Sequence, residues 1–75
     1  MKPPAQSQAM ITVVVNGARF EIAAPATIAS LIAARQPRPP FAVELNKCLV
    51  RRSAYTTTAL SNGDNLEVVT LVGGG

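Results

Sequence analysis

The chain has no histidine, no tryptophan, one cysteine and only four carboxylate side chains among its 75 residues. Each shortage excludes something. Without histidine, and with so few acids, conventional general acid–base catalysis lacks its usual groups. The lone Cys48 cannot close an internal disulfide, so no oxidising compartment is called for, and a single thiol without imidazole makes no metal site. Aromatic residues are limited to Phe20, Phe41 and Tyr55, which leaves little surface for stacking bases. The seven basic residues give a formal charge of +3. They are scattered, with Arg51–Arg52 the one adjacent pair, and this argues against a nucleic-acid interface. No run approaches the ~20 apolar residues that cross a bilayer. Met1 to Ala9 carries Lys2 but lacks the apolar core of a secretory signal. The expectation is a cytoplasmic chain, not itself an enzyme, with no bound cofactor.

What the chain does have is apolar residues, 48% of the total, in a length that suits one small domain. Such a domain buries only about 60% of its unfolded surface, so its stability is marginal. Residues 1–9, with two prolines and two glutamines, read as a disordered extension. Met10 then opens the regular pattern, and translation starting there is an equally open reading.

Ile11 to Val15 is β-branched throughout and is followed by Asn16–Gly17, residues that accept the positive φ angles of a tight hairpin turn. The returning strand, Ala18 to Ile22, alternates Phe20 and Ile22 with Arg19 and Glu21, and Pro25 ends it. Thr27 is the N-cap of a helix over 28–35, with Ile28, Leu31 and Ile32 at helical spacing, and Pro37 stops it. Phe41 to Leu45 is a third strand, Asn46–Lys47 a turn, and Cys48 to Val50 a short strand. From Arg51 to Leu60 the pattern is weak and predicts a surface crossing with at most one helical turn. Ser61–Asn62–Gly63–Asp64 is a turn signal, and Leu66 to Val72 is the last strand. The order predicts an α+β fold, a β-grasp, in which a mixed sheet of four to five strands packs on one helix. Residues 10–72 form that domain and residues 73–75 a flexible glycine tail. On the last strand Leu66 and Val68 face the helix. Val69 and Leu71, with Val72 at the end, are then candidate docking residues for a partner, provided the strand order leaves them uncovered.

Gly73–Gly74–Gly75 contributes nothing to stability, since glycine loses the most backbone entropy on ordering and buries no side chain. Two readings stay open. The glycines are a frayed end or a cloning remnant, or they deliver the α-carboxylate of Gly75 through a narrow channel. In the second case the protein is a substrate, which agrees with its missing catalytic groups. Cys48 reads as a plain thiol. Arg51 and Arg52 either solvate the surface or meet an acidic partner.

From Met10 to its end the sequence resembles the ThiS family of ubiquitin-like sulfur carrier proteins. The resemblance rests on Met10–Ile11–Thr12–Val13 with the Asn16–Gly17 turn, Ala26–Thr27–Ile28 at the helix entry, Val43–Glu44–Leu45–Asn46, the stretch from Ala59 to Val69, and Val72–Gly73–Gly74–Gly75. It implies that Gly75 is adenylated with ATP by a ubiquitin-activating-like (ThiF-like) adenylyltransferase and converted to a thiocarboxylate, with Gly73 and Gly74 recognised as the tail. A donor such as a cysteine desulfurase supplies the sulfur, which passes to a ThiG-like thiazole synthase in thiamin synthesis. The molybdopterin-synthase carriers share fold and tail and are the nearest alternative. A ubiquitin-like modifier and a stand-alone basic interaction domain are two others. The extension 1–9 and the positive charge depart from the family pattern.

Overall fold

A computed structural model describes residues 9–71 of the chain. The expectations for 1–8, Val72 and the glycine tail lie outside the described residues.

Strands β1 (Met10–Val15) and β2 (Ala18–Ala23) form an antiparallel hairpin in which Val15 is opposite Ala18. Asn16 (φ 52°) and Gly17 (φ 84°) make the two-residue turn, both with positive φ. That geometry matches the right-handed twist of the strands it joins. Ala26–Thr27 (β3) follows, and Thr27 opens helix α1 (Ile28–Arg35). The cap is reciprocal. Ser30 donates its N–H to Thr27 Oγ1 at 3.2 Å, and the Thr27 N–H donates to Ser30 Oγ at 2.8 Å, so two otherwise orphaned amides are satisfied. The helix closes on Gln36 in the left-handed region (φ 48°), just before Pro37.

Strands β4 (Phe41–Leu45) and β5 (Cys48–Val50) form a second hairpin, turned by Asn46 and Lys47. A short 3₁₀ turn (Arg52–Ala54) leads to β6 (Ala59–Leu60), and β7 (Asn65–Thr70) completes the chain's regular structure. The main sheet runs β2-β1-β7-β4-β5. Only β1 and β7 are parallel; the other neighbours are antiparallel. This is the mixed five-stranded sheet with one helix of a β-grasp, with β1, β7 and β4 inside it.

The core lies between helix and sheet: Ile28 and Leu31 from α1 meet Val13, Val15, Val43, Leu66 and Val68. Tyr55 and Leu60 close one end, the Tyr55 ring stacking on Phe41 at 6.5 Å between centroids. Arg35, in the last turn of α1, lies over the Phe20 ring at 5.7 Å. Its stem and charge cover an aromatic face that the short helix leaves half exposed.

Two features differ from the sequence expectation. The weak stretch Arg51–Leu60 is not merely a surface crossing, because β6 pairs with β3 through Ala26–Leu60 and Thr27–Ala59 and supplies core side chains. Two residues are too few to show a period. In addition, β7 ends at Thr70, so Leu71 lies beyond the strand, although its N–H still donates to the Pro40 carbonyl at 2.8 Å.

Candidate functional site

The region of interest is the exit of β7, where the chain runs out of the sheet toward residues 72–75. Strand β7 is central and is held on both sides. On one side it pairs with β4 from Leu45–Leu66 to Phe41–Thr70. On the other side β1 reaches it at Val14–Asn65 and Val15–Leu66. At its start, Asp64 accepts the Ser61 N–H at 2.7 Å and the Asn46 side-chain amide at 3.1 Å. Asn46 Oδ1 in turn accepts the Asn65 N–H at 2.9 Å. These bonds tie the β4–β5 turn to the entry of β7, so the strand's direction is set before it reaches the exit.

Alternation along β7 puts Leu66 and Val68 in the core and turns Glu67 and Val69 to the open face of the sheet. Val69 is 46% exposed and Leu71, two residues on, 49%. The strand order therefore leaves the two expected docking residues uncovered. Val72, Gly73, Gly74 and Gly75, the remaining expected site residues, lie outside the described residues.

The register adds neighbours that a linear reading misses. Across the open face Val69 is opposite Ala42, and the next row runs Leu49–Glu44–Glu67. Leu49, 68% exposed, is the most exposed large apolar side chain among the described residues. Only the pairing of both hairpins reveals this row, since Leu49, Glu44 and Glu67 come from three strands. Cys48 is an exposed free thiol, and Arg51 and Arg52 are exposed beside it in sequence. No group of three His, Cys, Asp or Glu side chains among the described residues could hold a metal ion. Among the same residues no helix is long and apolar enough to cross a membrane.

The described part of the site thus offers an apolar and acidic sheet face at the end of β7.

Comparison with known proteins agrees with this geometry. Residues 13–75 match the family model described as the ThiS family. A crystal structure of the thiamine biosynthesis protein ThiS from Geobacter metallireducens is similar with a TM-score of 0.73 and 26% identity, covering 87% of this chain and 100% of that one. A solution NMR structure of a thiamine biosynthesis protein from the same organism gives 0.72 and 28%, covering 87% of this chain and 88% of that one. Among curated proteins no match is found.

Proposed function

The chain belongs to the ThiS family, and on that premise we propose that it is a sulfur carrier of thiamine biosynthesis, with Gly75 as the atom-carrying residue. The observation that carries this reading is the family match over residues 13–75, a span that takes in the tail as well as the core. The thiamine-biosynthesis name carried by the one Geobacter protein seen in both the crystal and the NMR structure favours this pathway over that of molybdopterin.

A carboxylate is a poor electrophile, and its chemistry needs activation. An oxygen of the Gly75 carboxylate attacks the α-phosphorus of ATP on the adenylyltransferase, and pyrophosphate leaves. The outer sulfur of a donor persulfide then attacks the acyl carbon and AMP departs; a thiol reductant next cleaves the S–S bond of that acyl disulfide, forming a disulfide with the donor's cysteine and releasing the thiocarboxylate. The resulting thiocarboxylate is the nucleophile that thiazole synthase consumes. ATP binds the partner enzyme, and this chain contributes the tail and the surface beside it. Three successive residues without Cβ atoms let the tail enter a channel too narrow for side chains. Val69 and Leu71 at the exit, with Val72, form the apolar contact that docks the carrier on its enzymes in the cytoplasm. Gly73 and Gly74 are the residues the channel reads.

Incubation of the full chain with ATP, a cognate activating enzyme and a sulfur donor, followed by intact-mass analysis, is the test. The expected product has one oxygen of Gly75 replaced by sulfur. An unchanged mass with an enzyme proven active would end the carrier reading, and adducts of higher mass would point to a protein modifier instead.

A further inference from the structure

Strand β1 partners β7 only as far as Leu66, because the chain turns away at Asn16–Gly17 into β2. Yet β7 continues to Thr70. Along the stretch that β1 no longer covers, the main-chain groups of Val68 are taken by a side chain. The Val68 N–H donates to Asn16 Oδ1 at 2.8 Å, and Asn16 Nδ2 donates to the Val68 carbonyl at 3.1 Å. Both bonds are partly buried. The backbone N–H of Asn16 already donates to the Leu66 carbonyl at 2.9 Å. A carboxamide carries one acceptor and a donor group in one plane, as a peptide unit does. Asn16 therefore stands in for the next residue of a parallel strand.

The turn alone does not require this residue. Its first position has φ 52°, which glycine and aspartate also accept. Glycine would leave both Val68 groups without their partner. Aspartate would accept the N–H and set a second oxygen against the carbonyl. Only asparagine meets the turn and the strand together.

We infer that Asn16 is a positioning residue for tail delivery: its carboxamide holds Val68 in the sheet, so that Val69 to Leu71 leave the sheet in a fixed direction. The delivery part rests on the carrier reading above. The opposite side of the exit is held by the bond from Leu71 N–H to the Pro40 carbonyl, so the clamp and that bond act as a pair around the departing segment.

Asn16→Gly and Asn16→Asp test the inference, with Asn62→Ala as a matched control. Asn62 Oδ1 accepts the Thr12 N–H at 2.8 Å at the entry to β7, so its removal lowers stability without touching the exit. In backbone amide exchange, Val68 is expected to exchange about tenfold faster in Asn16→Gly and by a smaller factor in Asn16→Asp, as loss of two or one net hydrogen bonds implies. In Asn62→Ala it changes only by the factor that lost global stability imposes on the other core amides, whereas in Asn16→Gly the increase at Val68 exceeds theirs. In ATP–pyrophosphate exchange by the activating enzyme, at a temperature where every variant is folded, kcat/KM falls about tenfold for Asn16→Gly and not for Asn62→Ala. Unchanged exchange at Val68 would remove the clamp. Equal activation of Asn16→Gly and wild type, or an equal loss in the control, would remove the positioning role. A wild-type chain that is never adenylated overturns the carrier reading and the delivery role with it, and the enzyme-free exchange result separates that failure from failure of the clamp.

Discussion

Leu66 is fully buried in the central strand, whereas Leu49 is 68% exposed on the open face. Truncating a buried leucine removes its transfer energy and leaves a cavity, together worth about 2–5 kcal/mol. For a domain of this size each kcal/mol shifts the melting midpoint by roughly 4–8 °C. Leu66→Ala is therefore expected to lower the midpoint by at least ~8 °C, and Leu49→Ala to change stability by no more than about 0.5 kcal/mol. Thermal melts followed by circular dichroism would check both. If Leu49 proved as costly as Leu66, its open-face placement would be wrong. Asn16 shows the opposite relation between exposure and weight, since it is an exposed residue whose side chain completes a buried strand's bonding.

Between elements, the register sets Glu44 of β4 directly opposite Glu67 of β7. Like charges in that relation are destabilising, by roughly 0.2–1 kcal/mol. Glu67→Gln keeps the size and removes the charge, so it should raise the urea midpoint at low salt, and the gain should shrink as salt screens the pair. A variant no more stable than the wild type at low salt would show that the two side chains avoid each other. Neither glutamate signals this pairing locally, and that marks the limit of what could be read from sequence. The Asn16–Gly17 hairpin, the Thr27 cap, the helix over 28–35 and the turn at 61–64 were legible because each depends on neighbours within a few residues. The β3–β6 pair was not, since Ala26–Thr27 and Ala59–Leu60 are two residues each and acquire meaning only by meeting. At the candidate site, Val69 was legible from alternation alone. Leu49 and the Asn16 clamp were not, because both depend on which strands lie side by side.

Over the whole molecule, the formal charge of +3 hides a segregation. All three glutamates, Glu21, Glu44 and Glu67, lie on the open face with Arg19. Arg35, Arg38, Lys47, Arg51 and Arg52 lie outside the strands that build it. The open face that carries Val69 is thus more acidic than the total suggests. Among the described residues the buried core runs from Val13 to Val68. Deleting Gly73–Gly75 should therefore leave the melting midpoint unchanged while abolishing thiocarboxylate formation. A lowered midpoint would mean that the tail contributes to the fold.

The parallel pairing of β1 with β7 has a mechanical consequence. A force applied along the axis of β7 loads its flanking hydrogen bonds side by side in shear rather than opening them one after another. Resistance to such a pull is governed by the unfolding barrier, not by equilibrium stability. A small, marginally stable domain can therefore keep its shape while its end is gripped, because the grip acts on the strand most firmly enclosed by the sheet.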